Sequence, residues 1–294
     1  MNILADEDDE LLQGVVTQTA TATAPDFLFE DLVNASISLS VAAGKSAVRY
    51  MSLGGDQPRA RTGMSWNPSS LNGCNLKAVY KACKVHSDPD LRVDLDLQAV
   101  FDRGSVMGAW MAAYIRALEG SYGITEVQCQ CTDREELLVV DKELSYGGFV
   151  DIVFKLHGVP HIVEVKSKDN ETALNKILRP DPKQLQQLND YMAISGIHQG
   201  WLVYMGLIDG PRGQRYGIKS FPHALDPKMW RETRDMIQAL DRFRQRPERM
   251  PFRSSNPRFE CSGCSYQVKC NKGWTPKQAL DAQALPAPEK DGSG

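Results

Sequence analysis

The alternation of apolar and polar positions changes character at Gly123. Before it the spacing is helical: Ser69 or Ser70 can cap a helix running through Cys74 to Ala82, and a second helix is predicted over 100–118. After it come three short segments rich in Val, Ile and Phe, at 136–143, 148–156 and 159–167. The pair His157-Gly158 between the last two suits a tight hairpin turn. A helix is predicted over 182–194, with Pro182 at a first position that needs no amide donor. Apolar segments at 199–208 and 216–221 follow, then a helix over 226–244 with Met229, Met236, Leu240 and Phe243 on one side and Arg231, Arg234, Arg242 and Arg244 on the other. This order predicts an α/β fold with a mixed central sheet flanked by helices.

The pattern fades at both ends. The Thr-Ala alternation at 19–24, the stretch Gly54-Gly55-Asp56-Gln57-Pro58-Arg59, and Pro286, Pro288 and Gly292-Ser293-Gly294 are turn and linker compositions. They predict a flexible arm over 1–65 with one helix near 27–41, a single domain over 66–278, and a disordered tail over 279–294.

Two of the predicted strands carry charge where a core strand should not. Asp151 interrupts Val150-Asp151-Ile152-Val153-Phe154, a costly place for a carboxylate unless it is paired or bound to a cation. In Ile162-Val163-Glu164-Val165-Lys166 the strand period of two puts Glu164 and Lys166 on one face, and Val163 and Val165 on the other. If the two strands form a hairpin, Asp151 and Glu164 can converge on one hard divalent cation, Mg²⁺ or Mn²⁺, with Lys166 beside it. The bland reading is a same-face ion pair on an edge strand with a polar residue near a turn.

At Asp151, Glu164 and Lys166 the chain resembles the PD-(D/E)XK nuclease superfamily, with Gly148 three residues before the aspartate as in the RecB-like branch. That branch carries a Gln and a Tyr four residues apart on the next helix, and here they are Gln187 and Tyr191. The i, i+4 spacing sets them on one helical face beside the stripe of Leu185, Leu188 and Met192. The resemblance implies a restriction-endonuclease-like core in which Asp151, Glu164 and the Val165 carbonyl ligate the cation. It also implies that Lys166 assists the attacking water, while Gln187 and Tyr191 place the lysine or the substrate. Relatives also carry a glycine and, four residues later, a histidine on the preceding helix. Gly104 matches, but Gly108 stands where the histidine belongs, and Glu119 is the substitute within reach along the helix.

Cysteine adds a second constellation. Cys261, Cys264 and Cys270 form a C-x2-C-x5-C run that suits a soft metal but is one ligand short of four. Cys74, just ahead of the core, is the best fourth donor and Cys83 the alternative, while Cys129 and Cys131 read as ordinary thiols. One cysteine before the core and three behind it resembles the iron–sulfur nucleases of the RecB-like branch, CRISPR-associated and bacteriophage enzymes among them. That resemblance implies a [4Fe–4S] cluster joining the two ends of the domain, completed within 250–272, with Zn²⁺ as the alternative occupant. His157 and His161 flank the hairpin turn and read as structural.

Composition then sets the setting. Seven cysteines, an odd number, in a chain of 294 residues with no apolar run of membrane length and an acidic start at Asp6-Glu7-Asp8-Asp9-Glu10 predict a reducing, cytoplasmic protein. The formal net charge of −3 argues against nucleic acid when taken whole. It is unevenly spread: residues 1–60 hold nine acids and three bases, whereas 212–272 hold fourteen bases and six acids. The basic excess, with Arg231, Arg234, Arg242 and Arg244, could track a phosphate backbone, and the acidic arm could compete for it.

The expectation is a divalent-metal-dependent DNA nuclease, an exonuclease on ends or single strands. As a bacteriophage protein in host cytoplasm it would serve recombination, repair or degradation, with a recombination or single-strand-binding protein as a partner and oligomers open. Two alternatives stand beside it: a noncatalytic DNA-end-binding or regulatory protein in which Gly108 marks a lost metal site, and a zinc-stabilised nuclease without a cluster.

Overall fold

The computed structural model describes residues 64–71, 73–88, 95–129, 137–210, 213–251, 261 and 264–284, together with Phe29 and Val33. The rest of the arm and tail, Cys131 and the 252–260 stretch lie outside the described residues.

From residue 64 on, the helices described ahead of the strands are α1 (Pro68–Leu71), α2 (Asn75–Ala82) and α3 (Leu95–Ala117). The helix expected to start at Ser69 or Ser70 is thus two, because the chain bends at Gly73-Cys74 and Cys74 takes the cap position of α2. Next come β1 (Ile124–Cys129), β2 (Leu137–Asp141), β3 (Tyr146–Val150), β4 (Ile152–Leu156) and β5 (Val159–Lys168). After β5 the chain forms a short α4 (Glu171–Asn175), α5 (Pro182–Ser195), β6 (Gln199–Gly210), β7 (Gly213–Ala224) and α6 (Pro227–Gln245). It ends in α7 (Gln267–Asn271) and α8 (Pro276–Ala284).

The main sheet has the order β1-β4-β5-β6-β7, antiparallel except for the central β5–β6 pair, which is parallel and needs the α4–α5 crossover. The expected mixed sheet is therefore present. Its hairpin at β4–β5 closes Leu156 on Val159 with left-handed backbone at both His157 (φ +50°) and Gly158 (φ +83°), as a two-residue primed turn requires. The segment expected to be one strand over 148–156 is two. The chain pairs first with β2 in a separate two-stranded sheet and then, one residue later, with β1 and β5, so Asp151 is the pivot between two sheets.

Strand parity sorts the sheet into two faces. On one, Met107, Met111, Ala112 and Ile115 of α3 pack against Ile152, Phe154, Val163, Val203 and Met205, with Phe29 and Val33 of the expected arm buried among them. Residues 29 and 33 are thus core rather than arm. On the other face, Leu188, Tyr191 and Met192 of α5 pack on Ile162, Leu202 and Tyr204. Each of these fully covered aliphatic side chains contributes roughly 1.5–3 kcal/mol. β1 carries an irregularity between Thr125 and Gln128, and Glu126 has φ +52°. Glu119 fills that bulge: its Oε1 accepts from the Val127 amide at 2.8 Å and its Oε2 from Arg116 at 2.6 Å. That carboxylate closes a turn at the end of α3 and does not stand in for the missing histidine.

Helix α5 starts on Asp181, whose carboxylate accepts from the amides of Lys183 and Gln184, with Pro182 first in the helix, and it stops at Gly196 with φ +70°. Six consecutive residues, from Gln187 to Met192, are buried. The polar ones among them face α6 as well as the sheet: Asp190 accepts from Tyr146 Oη at 2.6 Å, Thr233 Oγ1 at 2.8 Å and Gln186 Nε2 at 3.0 Å. Asn189 holds Asp226 through both its amide and its carbonyl.

The two ends of the domain are joined by polar contacts spanning some 180 residues of sequence. Lys269 Nζ donates to Asp88 Oδ1 at 2.5 Å inside a buried pair, the Val268 amide donates to Asp88 Oδ2 at 2.7 Å, and Tyr80 Oη donates to the Trp274 carbonyl at 2.5 Å. Ala279 is fully buried beside Leu76, Tyr80 and Cys264, so helix covers residues 279–284, where the tail was expected to begin.

Burial raises the Asp190 carboxyl to about 6, against the pull of its three donors. Between about pH 4 and 6 the folded chain then holds a proton that the unfolded chain has released, and stability falls as pH rises through that window. Urea unfolding at successive pH values should show wild type losing about 3 kcal/mol relative to Asp190→Asn between pH 4 and pH 7. A pH-independent difference would contradict the raised carboxyl.

Candidate active site

Parity and pairing bring the predicted residues together. Val163 and Val165 point into the α3 face, so Glu164 and Lys166 point at α5. Glu164 is 2% exposed, and its Oε1 accepts from Lys166 Nζ at 2.6 Å and from Gln187 Nε2 at 2.8 Å. Gln187 also accepts from Lys166 Nζ at 3.0 Å through its Oε1 and donates to Tyr191 Oη at 3.5 Å. One amide thus holds carboxylate, ammonium and phenol at once. The bland reading of an edge-strand ion pair does not describe this arrangement, because β5 lies at the centre of the sheet.

Asp151 joins from the pivot. Its Oδ2 accepts from the Val165 amide at 2.8 Å, which ties the sheet-switching point to the residue between Glu164 and Lys166. Burial pulls the Lys166 ammonium down, but the Glu164 and Asp151 carboxylates outweigh it and raise the group above the ordinary lysine value. Lys166 enters the site as a cation.

Gly148 has a physical reason here. A Cβ at this position would lie 2.9 Å from Tyr191 Oη and 3.2 Å from its Cε1, so the glycine makes room for the phenol that Gln187 meets. A Cβ at Gly104 would lie 3.4 Å from Ser167 Oγ, which places its helix over the end of β5 beside Lys166. A Cβ at Gly108 would meet nothing within 4 Å, so the position expected to carry a histidine opens on free space.

Sequence reasoning missed Tyr204. It pairs with Lys166 across the parallel β5–β6 ladder, Lys168 Nζ sits 4.9 Å over its ring, and its Oη accepts from the Asp181 amide at 2.9 Å. Burial and the Asp181 carboxylate push the phenol up, while the nearby Lys166 charge pulls it back. Only the strand pairing, not the local motif, would have found it. His161 donates from Nδ1 to the Val159 carbonyl at 2.8 Å and stacks on Trp201 at 4.6 Å, in line with its structural reading. The four arginines are not brought to the carboxylates: Arg231, Arg234 and Arg242 lie on the exposed face of α6, and Arg244 is bound to Asp241. That helix packs on α5 and α2 through Thr233, Ile237 and Leu240.

Two sets of groups have the chemistry of metal ligands. Asp151, Glu164 and the Val165 carbonyl are hard oxygen donors on adjacent backbone, and two carboxylates with water and substrate oxygens are the usual complement for Mg²⁺. Cys74, Cys261, Cys264 and Cys270 line one pocket with Leu76, Tyr80 and Gln267, and none of the four is in a disulfide. Cys83 does not line it; it packs instead near Arg244 and Asp241, where burial raises its thiol. Among the described residues no three His, Cys, Asp or Glu side chains gather tightly enough to hold an ion. The expected cluster module is thus a pocket surrounded by donors and not a closed four-sulfur site.

The sequence matches no family model and no curated protein. Solved structures similar to the chain include SSO0001 (16% identity, TM-score 0.39, covering 90% of this chain and all of that one). They also include the alkaline exonuclease LHK-Exo from Laribacter hongkongensis, alone (16%, 0.43) and in complex with dAMP (16%, 0.42), each covering 64% of this chain and 90% of that one.

Gly148→Ala should displace Tyr191 and cost about 1–3 kcal/mol in chemical denaturation. Adding Tyr191→Phe, which removes the closest atom, should return part of that loss. Strict additivity of the two changes would show that glycine and phenol do not touch.

Proposed function

We propose that the chain is a divalent-metal-dependent DNA nuclease of PD-(D/E)XK type, hydrolysing phosphodiesters at ends or on single strands. The observation that carries this is the Glu164–Lys166–Gln187 network with Asp151 tied to Val165: a costly cluster of charge at the centre of a sheet that the fold does not need. Asp151, Glu164 and the Val165 carbonyl would hold Mg²⁺ or Mn²⁺. When bound, such an ion supplies charge for the phosphoryl oxygens and acidifies a water.

The rest is the work of the chain's own side chains. Gln187 orients Lys166 by its carbonyl and Glu164 by its amide, so carboxylate and ammonium keep a fixed geometry as substrate arrives. Lys166, held protonated by two carboxylates, presents a positive charge where a scissile phosphate gathers negative charge. Tyr191, wedged on Gly148, backs Gln187 and limits its movement. The soft-donor pocket around Cys74, Cys261, Cys264 and Cys270 is assigned a structural metal centre, a [4Fe–4S] cluster or Zn²⁺, on the support of four thiols around one pocket. The open space at Gly108, where the resemblance expects a histidine, favours a second reading, a DNA-end-binding protein without cleavage.

End-labelled single- and double-stranded DNA incubated with Mg²⁺ or Mn²⁺ decides between the two. Cleavage should fall at least 10²-fold in Asp151→Asn and in Lys166→Ala and about tenfold or more in Gln187→Ala. Cleavage unaffected by the first two changes, or absent from wild type that still binds ends, would refute the nuclease reading. Anaerobically purified protein should contain iron and sulfide, or one zinc, and lose it in Cys264→Ser. Metal-free wild type that melts like the variant would remove the metal centre from the account.

A further inference from the structure

The connection from β5 to α5 leaves the strand that carries Lys166 and returns in the helix that carries Gln187, so residues 169–181 form a rim of the candidate site. The rim is pinned. Lys219 Nζ reaches across from β7 and donates to the carbonyls of Asn175 at 3.0 Å and Ile177 at 3.1 Å. Asn170 caps α4 by accepting from the Ala173 amide at 2.9 Å, Leu174 is buried in the core with Ile177 packed beside it, and Tyr204 Oη holds the Asp181 amide. Tyr204 also lies beside Lys166, so rim and site share an anchor.

On this fixed frame Leu178 is 88% exposed, the most exposed large apolar side chain among the described residues, and it is flanked by exposed Lys176 and Arg179. A mobile loop could fold such a leucine back onto the surface, whereas this one is held outward from both sides. The fold makes no use of Leu178, and two cations beside an apolar knob match a ligand that alternates anions with flat apolar faces. A nucleic-acid strand with unpaired bases has that chemistry: phosphates for the cations, and base faces for an apolar side chain, which elsewhere inserts against unstacked bases.

We infer that Lys176, Leu178 and Arg179 grip the unpaired part of a DNA strand next to the scissile bond, with the two cations on phosphates and the leucine against a base. The inference rests on the nuclease reading for its substrate but not for its readout, which is binding. Fluorescence anisotropy of a labelled single-stranded oligonucleotide on the full chain, across a salt series without divalent cation, tests it. Lys176→Gln/Arg179→Gln should weaken binding at least tenfold at low salt and reduce the log–log salt slope by about 1.4, the value for two single-strand phosphate contacts. Leu178→Ser should weaken binding severalfold at unchanged slope and reduce the quenching of a 2-aminopurine placed in the strand. Circular dichroism and melting should be unchanged in both. Wild-type affinity and slope in both variants would overturn the rim assignment alone; a wild-type chain that binds no DNA would overturn both the assignment and the nuclease reading beneath it.

Discussion

Glu164 is a carboxylate in the central strand of a five-stranded sheet, and a charge buried there must be matched or the fold is lost. Much of the molecule's arrangement follows from that match. Lys166 supplies the opposite charge from two residues along the strand, but an isolated pair still leaves donors and acceptors to satisfy, so Gln187 has to arrive from the covering helix. For Gln187 to arrive, α5 must lie close on β5 and β6, which requires small or aliphatic contacts at Leu188 and Met192 and a glycine at 200, where a Cβ would lie 2.7 Å from the Ile162 carbonyl. With one side of α5 committed to the sheet, its remaining polar residues, Asn189 and Asp190, are covered by α6 and must find their partners there. A single buried charge thus propagates into the placement of two helices.

Stability does not explain why the charge is present. Removing one member of a buried pair typically costs about 3–5 kcal/mol, yet replacing both by apolar groups of similar size is often neutral or stabilising. A fold selected for stability alone would carry an apolar residue at 164, as it does at 163 and 165. The pair is retained together with Asp151, whose side chain accepts from the backbone amide between the two, so three ionisable groups lie close together. Charge kept at a cost to the scaffold is the pattern on which the proposed nuclease reading rests.

The period-two pattern made much of this legible in the sequence. The opposite facing of Glu164 and Val165, the primed turn at His157-Gly158 and the cap at Asp181 all follow from local residue chemistry, and each is where local chemistry puts it. What stayed hidden depends on partners far along the chain. Nothing local shows that the polar positions 189 and 190 are covered, since their partners are Asp226 and Thr233. β1 was not read as a definite strand because the bulge at Glu126 breaks its alternation. The single strand expected over 148–156 breaks at Asp151 because β2 competes for its first half, and that pairing has no local signature. Tyr204 gains its place beside Lys166 only through the parallel ladder.

The same distinction bears on how the chain ends meet. Proximity of Cys74 to the cysteine run was inferred from a need for a fourth soft ligand, and the pocket does gather those four residues while leaving Cys83 outside. Yet the ends are already fastened without any metal: Lys269 neutralises Asp88 in a buried pair, Tyr80 reaches the Trp274 carbonyl, and Tyr266 reaches the Val85 carbonyl at 3.2 Å. Closing a loop of that length by one bond gains little over a loop half as long, since the entropy grows only with the logarithm of length, about 0.6 kcal/mol per doubling. Several closures in one place therefore add their contact energies but pay for the loop only once. A metal centre bound in that pocket would act on an end-to-end contact that the polypeptide already makes, so its contribution lies in fixing the pocket's own geometry, the turn at Cys261–Cys264 and the start of α2, more than in bringing the two ends together.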